Sequence, residues 1–402
     1  MKRALLLSLM VIGVCDAAYP LWIGRSATVP TAGQPYYLVD SIGISLLEGY
    51  GYSRVPIALT VKDLTVWCPT APGSGKAWKL TLQKGTTPTA LSVTISDSET
   101  KDSNTLDVAF DANDPIALYW SKTSTPADSN LHWAISYEPS MPKSQVMLGR
   151  GWLSSGGHTY LVPKYSQTGS SYTKLVFPIA GSLSRLHGVL GTAPGDGCAR
   201  EMIMRVNGGE TNLTATFGEA DTYAADDANS VAVSAGDTAF LDITDTGSPP
   251  SGHLGWGVVF TMAMSNRWAL WSSDSVAISN SVPTYYAPNT VQIRLTNENL
   301  AQQKVPALTI RNLYVVMTAA PGSGNSYAFS LRVNGAAASP ALGLTLSDTY
   351  YTGSAAQQVT VAEDSYLNTM IEPSSTPDAS IVSGMSYLVD TSTTWFPWWV
   401  LE

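Results

Sequence analysis

The sequence predicts an all-β protein built from three tandem β-sandwiches, and three observations carry that prediction. One phrase recurs, as APGSGKAW at 71–78, APGDGCAR at 193–200 and APGSGNSY at 320–327, so that Pro72, Pro194 and Pro321 stand 122 and 127 residues apart. A period of about 125 residues exceeds the roughly 20–50 of solenoid and propeller repeats and suits one sandwich of about seven to nine short strands. After residue 18 no stretch sustains the apolar i, i+3, i+4, i+7 pattern of an amphipathic helix. LTNENLAQQK (295–304) comes nearest and reads as one helical turn or a loop.

Within each copy the elements follow in a fixed order. An apolar strand precedes the phrase (LTVKDLTVWC, LSRLHGVLG, LTIRNLYVVM), and a second follows it (WKLTLQKG, EMIMRVNGG, AFSLRVNGA). In the third copy Phe329 and Leu331 alternate with Ser330 and Arg332, the period of a half-buried strand. Next come LSVTISD, LTATFGE and LGLTLSD. An acidic turn follows at Asp114, Asp237 and Asp364, whose carboxylates are expected to accept backbone N–H bonds. Each copy closes on an aromatic strand, HWAISY (132–137), GWGVVF (255–260) and the more diverged MSYLV (385–389). Trp133 and Trp256 fall at equivalent places there and are expected in the core. The tyrosine pairs Tyr36-Tyr37 and Tyr285-Tyr286, with Thr159-Tyr160 between them in order, should each turn one member inward. The boundaries are 19–142, 143–266 and 267–402, and each copy is expected to hold its own apolar core, with few contacts across seams near 140 and 265.

The recurring phrase itself raises the question of phosphate binding. A P-loop needs G-x-x-x-x-G-K-[ST], but Thr70 stands at the first glycine and Ala77 follows Lys76. Lys76 is replaced by Cys198 and Asn325 in the other copies, so no shared chemistry needs it. Pro-Gly-Ser-Gly and Pro-Gly-Asp-Gly read instead as hairpin turns, with proline fixing one φ and glycine taking a positive one.

Composition narrows the class. Charged residues are 13% of the chain, about half the usual share, while hydrophobic residues are 44%. The surface must therefore be covered by Ser, Thr, Asn and Gly, a habit of extracellular and virion β-proteins. The net charge of −9 and the absence of any Lys/Arg run exclude a nucleic-acid stripe. Cys15, Cys68 and Cys198 are odd in number with no C-x-x-C spacing, which indicates neither a zinc knuckle nor a disulfide framework.

No catalytic, metal or cofactor constellation is expected. His132, His158, His187 and His253 form no H-E-x-x-H, and no G-x-S-x-G offers a nucleophile. EADTYAADDANS (219–230) could offer Asp221, Asp226 and Asp227 to calcium, but it lacks the spacing and closing Glu of an EF-hand and reads as a solvated loop. Asn212-Leu213-Thr214 is a single glycosylation sequon.

Both ends are unusual. Residues 1–18 have Lys2 and Arg3, an apolar run from Ala4 to Val14 and small residues at Cys15 and Ala17, the layout of a secretory signal and too short for a comfortable membrane span. By register, LSLMVI is equally an extra copy of the closing strand. The last nine residues, TWFPWWVLE, match the start of a repeat that does not follow. Trp395, Phe396, Trp398 and Trp399 are candidate interface residues, because such a cluster is too apolar to leave in water.

The segments VKDLTVWCPTAPGSGKAWKLTLQKG, LSRLHGVLGTAPGDGCAREMIMRVNGG and IRNLYVVMTAAPGSGNSYAFSLRVNGA resemble jelly-roll or C1q/TNF-like β-sandwich modules of bacteriophage virion surface proteins. The resemblance covers most of 58–140, 182–262 and 309–390. It implies a non-enzymatic structural protein, a capsid decoration (cement) or tail component, whose partners are other virion proteins. It also implies self-association, a trimer being one form, since such sandwiches often assemble around threefold axes. The alternatives are a secreted or cell-surface adhesin, which the signal-like N-terminus favours, and a carbohydrate-binding or carbohydrate-active protein.

Overall fold

The computed structural model describes residues 20–25, 34–36, 53–156, 158–162, 165–168, 173–265, 267–274, 277–288 and 294–390. The protein is all-β. The first copy supplies β1 (Leu21–Arg25), β2 (Gln34–Tyr36), β3 (Ser53–Arg54), β4 (Leu59–Trp67), β5 (Gly73–Lys84), β6 (Thr87–Asp97), β7 (Lys101–Asn104), β8 (Val108–Phe110), β9 (Pro115–Thr123) and β10 (His132–Pro139). From the second come β11 (Ser144–Leu153), β12 (His158–Val162), β13 (Tyr165–Thr168), β14 (Leu175–Val176), β15 (Gly181–Leu190), β16 (Ala199–Val206), β17 (Gly209–Phe217), β18 (Tyr223–Val233), β19 (Thr238–Thr246) and β20 (Gly252–Met262). The third begins with β21 (Arg267–Ser272), β22 (Thr284–Tyr286), β23 (Arg294–Leu295), the single helical turn α1 (Glu298–Ala301) and β24 (Gln303–Val305). It continues with β25 (Leu308–Met317), β26 (Gly322–Val333), β27 (Ala336–Ala337), β28 (Gly343–Asp348), β29 (Thr352–Val361), β30 (Ser365–Ser374) and β31 (Val382–Asp390).

Among the described residues every sheet draws its strands from one copy of the sequence repeat, and the strand order is the same each time. One sheet runs β1-β10-β4-β7, β11-β20-β15-β18 and β21-β31-β25-β29; the other contains β2-β9-β5-β6, β12-β19-β16-β17 and β22-β30-β26-β27. Counting eight principal strands per copy, these are the orders 1-8-3-6 and 2-7-4-5, the two antiparallel sheets of a jelly roll. Local chemistry fixes the details. Asn207-Gly208 and Asn334-Gly335 both take positive φ (52° and 83°, 52° and 77°), the turn that two-residue hairpins demand.

The recurring glycine phrase is not a hairpin turn. β4 and β5 lie in different sheets, as do β15 and β16, and β25 and β26, so the phrase carries the chain over the edge of the sandwich. It then forms a bulge: Gly73 pairs with Asp97 but the next pair is Ala77 with Ser96, and Gly322 with Asp348 is followed by Ser326 with Ser347. The glycines are needed because the chain turns a corner and crowds extra residues onto one strand at the same point.

The cores are not separate either. The buried apolar cluster of the second copy runs unbroken into the third and takes in Ile23, Trp67 and Ala134 of the first. The first copy's cluster incorporates Val146, Leu148 and Val259 of the second. The cause is the closing strand. β31 is buried over eight consecutive residues and β20 over Leu254–Phe260, so both faces are covered, one by the strand's own sandwich and one by a neighbour.

That neighbour is arranged cyclically. β3 of the first copy lies on β20, β11 and β15 of the second; β14 of the second lies on β31, β21 and β25 of the third; β24 of the third lies on β10 and β1 of the first. The same short strand thus docks on the same sheet three times, and the third contact returns to the start. Head-to-tail contacts of this kind close into a ring when the rotation per step fits. Here one chain closes it.

Candidate binding surfaces

The glycine phrase has its anion already. Gly73 and Gly75, Gly195 and Gly197, and Gly322 and Gly324 all have positive φ between 69° and 95°. In each pair the second N–H donates to a carboxylate that ends the next strand or opens the turn after it: Gly75 to Asp97 (2.7 Å), Gly197 to Glu219 (2.8 Å) and Gly324 to Asp348 (2.8 Å). A phosphate would have to displace a side chain in every copy. The acidic turn behaves as expected at Asp114 and Asp237, which accept the N–H groups of Asp111 (2.6 Å) and Ser234 (2.7 Å). Asp364 departs from it, because its carboxylate accepts the Trp67 indole N–H at 2.6 Å across the seam between the third and first copies.

The three seams are alike in backbone and different in side chains. Between the first and second, β20 passes so close that a Cβ on Gly257 would stand 2.8 Å from the Arg54 carbonyl oxygen. Between the second and third, Lys174 N–H donates to the Ser383 carbonyl (2.7 Å) and the Trp271 indole to the Val176 carbonyl (2.9 Å). Between the third and first, Lys304 N–H donates to His132 Nδ1 (3.2 Å), and Lys101 bridges Glu363 and Asp364. Burial pushes the Asp364 carboxyl up, but Trp67 and Lys101 together hold it below the usual range.

Aromatic and charged side chains gather on the outward face of β11-β20-β15-β18. Gly188 faces the core, since a Cβ there would meet Met202 and Phe217, so His187 beside it lies on the other face, where its neighbours bury it. His187 joins Tyr223 and Asp227: its Nε2 is 2.9 Å from Asp227 Oδ1 and its Nδ1 3.0 Å from the Tyr223 hydroxyl, with Arg185 on the same carboxylate at 2.8 Å. Burial works against the Asp227 charge, but these bonds hold its carboxyl low. At the other edge Trp152 is 50% exposed and stands edge-on to His253 (4.7 Å), and Arg150 lies 3.1 Å from His253 Nδ1. Burial, and then the Arg150 charge, depress the His253 imidazole to about 4.

A polar cavity of about 470 Å³ opens between the first and third copies, lined by residues 69–70, 128–130 and His132 on one side and by Asn299, Gln302 and Tyr366 on the other. Its back wall is tied down: Ser129 Oγ accepts the Thr70 N–H (3.1 Å), and Tyr366 stands edge-on to His132 (6.2 Å).

The remaining expectations fall out as follows. Trp133 and Trp256 are buried at 0% and 1% and sit opposite Gly24 and Gly149. Tyr286 is buried and bonded to Asp274 (3.1 Å) while Tyr285 is half-exposed. The 219–230 segment is not a loop, since Tyr223–Val233 is strand β18 paired with β15, and Asp221, Asp226 and Asp227 do not converge on it. Asp221 accepts Gly218 N–H, Asp226 accepts the N–H groups of Thr214, Ala228 and Asn229, and Asp227 takes Arg185 and His187. Among the described residues no group of three or more His, Cys, Asp or Glu side chains could hold a metal ion. Cys68 and Cys198 are free thiols, the first buried and the second half-buried, and Asn212 of the sequon is exposed. No described helix is long and apolar enough to cross a membrane. Residues 1–18, Cys15 and the candidate interface Trp395, Phe396, Trp398 and Trp399 lie outside the described residues. Sequence reasoning missed Arg150, Trp152 and Tyr223; nothing in the sequence marks them, and Tyr350 and Tyr351 of the third copy are exposed aromatics too.

No protein-family model matches the sequence, and no curated protein matches it either.

Proposed function

We propose that the chain is a structural component of a viral particle, a bacteriophage capsid-decoration or tail protein that works through protein–protein contacts and carries out no catalysis. The observation that carries this reading is the ring: three jelly-roll sheet pairs, docked head to tail, presented by one chain. A homotrimer of single modules would present the same arrangement with three chains. The threefold-like body therefore needs no second copy, and one chain suits a threefold position on a particle. The low share of charged residues, 13%, agrees with a protein that acts by contact. So do Trp152, Tyr223 and Arg150, because Trp, Tyr and Arg are the side chains that dominate binding energy at interfaces.

The test is where the protein is found. Peptide mass spectrometry of density-purified particles should detect the chain in fixed stoichiometry to the major capsid protein. Recovery in the cell envelope or culture medium, with none on particles, would instead favour the adhesin reading that the signal-like N-terminus supports. On particles, Trp152→Ala should leave the protein folded and reduce its occupancy.

A further inference from the structure

We propose that the cavity between the third and first copies is a binding site for a neutral saccharide, a role that does not depend on where the ring is mounted. The cavity exists at this seam because the sequences differ there. Trp133, Trp256 and Met385 are equivalent, since they pair with Gly24, Gly149 and Ser272 on the adjacent strand of each copy. The residue before each is His132 in the first copy but Gly255 and Gly384 in the others. At the seam of the second and third copies a Cβ on Gly384 would lie 2.5 Å from the Lys174 carbonyl, so the backbones there touch. The bulk of His132 holds the first and third copies apart, and the gap it leaves is lined by polar side chains.

The chemistry of that lining selects the ligand. Asn130 and Asn299 each present a donor and an acceptor, and Asp128 presents a carboxylate, as sugar hydroxyls require. Tyr366 supplies an aromatic ring, and Lys304 Nζ lies 5.0 Å from its centroid. No Lys or Arg is among the lining residues, so a phosphate or an acidic sugar would face the Asp128 carboxylate, with Lys304 engaged on the Tyr366 ring. An apolar ligand would strand the amides. The volume, about 470 Å³, falls within the roughly 300–1,000 Å³ typical of small-molecule sites, which occur preferentially at domain interfaces.

An array of neutral and acidic oligosaccharides, followed by saturation-transfer NMR with the best neutral hexose disaccharides, tests the assignment. We expect neutral saccharides to bind and acidic ones to bind more weakly. Asp128→Ala and Asn299→Ala change exposed rim residues; each should weaken binding at least tenfold with the melting temperature unchanged. Trp152→Ala, on the distant outward face, should leave it intact. Absence of saccharide binding by the wild-type protein, preference for acidic saccharides, or binding indifferent to both rim substitutions would overturn the assignment. Detection of the chain on or off particles bears on the proposed function alone.

Discussion

Gly149 lies directly opposite Trp256 across the β11–β20 ladder, and a Cβ at Gly149 would stand 2.2 Å from the indole. Gly24 and Trp133 repeat the relationship in the first copy, at 2.4 Å. A glycine is required at both positions because the large ring lies flat over the neighbouring strand. Gly149→Ala is expected to destabilise the protein by about 1–3 kcal/mol through overpacking. Chemical denaturation measures this, and a second change, Trp256→Leu, should recover part of the loss. Additive losses in the double variant would show that the two side chains do not compete for the same space.

The internal anions of the glycine phrase give a second expectation. Asp97→Ala, Glu219→Ala and Asp348→Ala each remove one hydrogen bond to a backbone N–H, at about 0.5–1.5 kcal/mol apiece. The losses should add, since the three sites are far apart in sequence and structure. Thermal melts with and without inorganic phosphate should coincide for the native protein, and a phosphate-dependent rise would revive the phosphate reading.

Ring closure is open to test at one seam. Asp364→Ala removes the acceptor of the Trp67 indole and one partner of Lys101. Hydrogen exchange should rise in β4, β10 and β24 while the seam between the second and third copies stays protected. Equal loosening of all three seams would mean that the ring opens as one cooperative unit.

His253 predicts a pH dependence. Its imidazole is depressed from 6.5 to about 4, so the folded protein keeps it neutral where the unfolded chain takes up a proton. The unfolded state then binds more protons, and stability falls as pH drops from about 6.5 towards 4. NMR titration should show His253 neutral until near pH 4, and His253→Gln should flatten the stability profile across that window. An ordinary titration near 6.5 would contradict it.

Calcium is expected to leave the melting temperature unchanged, because Asp221, Asp226 and Asp227 are each committed to different partners. Burial opposes the Asp226 charge, yet bonds from Asn229 and its neighbours hold the carboxyl below its ordinary value. Its contribution is therefore present above about pH 4 and lost in stronger acid. Asp226→Ala should lower stability at neutral pH and matter less in acid, as thermal melts across pH would show.

How much of this was legible follows from distance along the chain. The alternation around Phe329 and the recurring glycine phrase are local, and they identified strands and the repeat. The equivalence of Gly24, Gly149 and Ser272 was readable for the same reason, since register is a matter of counting. The hairpin reading of the glycine phrase failed because a turn sequence states that the chain bends and not which sheet receives it. The separate-core reading failed although a signal was present: GWGVVF is apolar throughout, and GMSYLV but for Ser386, where a strand with one wet face would alternate. A strand covered on both sides needs a second sandwich against it, and nothing in the strand says which one.

The sequence by itself determined the all-β class, the threefold recurrence and the order of the strands flanking the glycine phrase, because periodicity, turn chemistry and counting act between near neighbours. Tertiary structure alone decided that the copies close into a ring and that His132, Asn130, Asn299, Gln302 and Tyr366 line one cavity. Those groups lie up to 236 residues apart in the sequence. They meet because burying the second face of each closing strand favours docking the copies head to tail, and the last contact of that series brings the third copy onto the first.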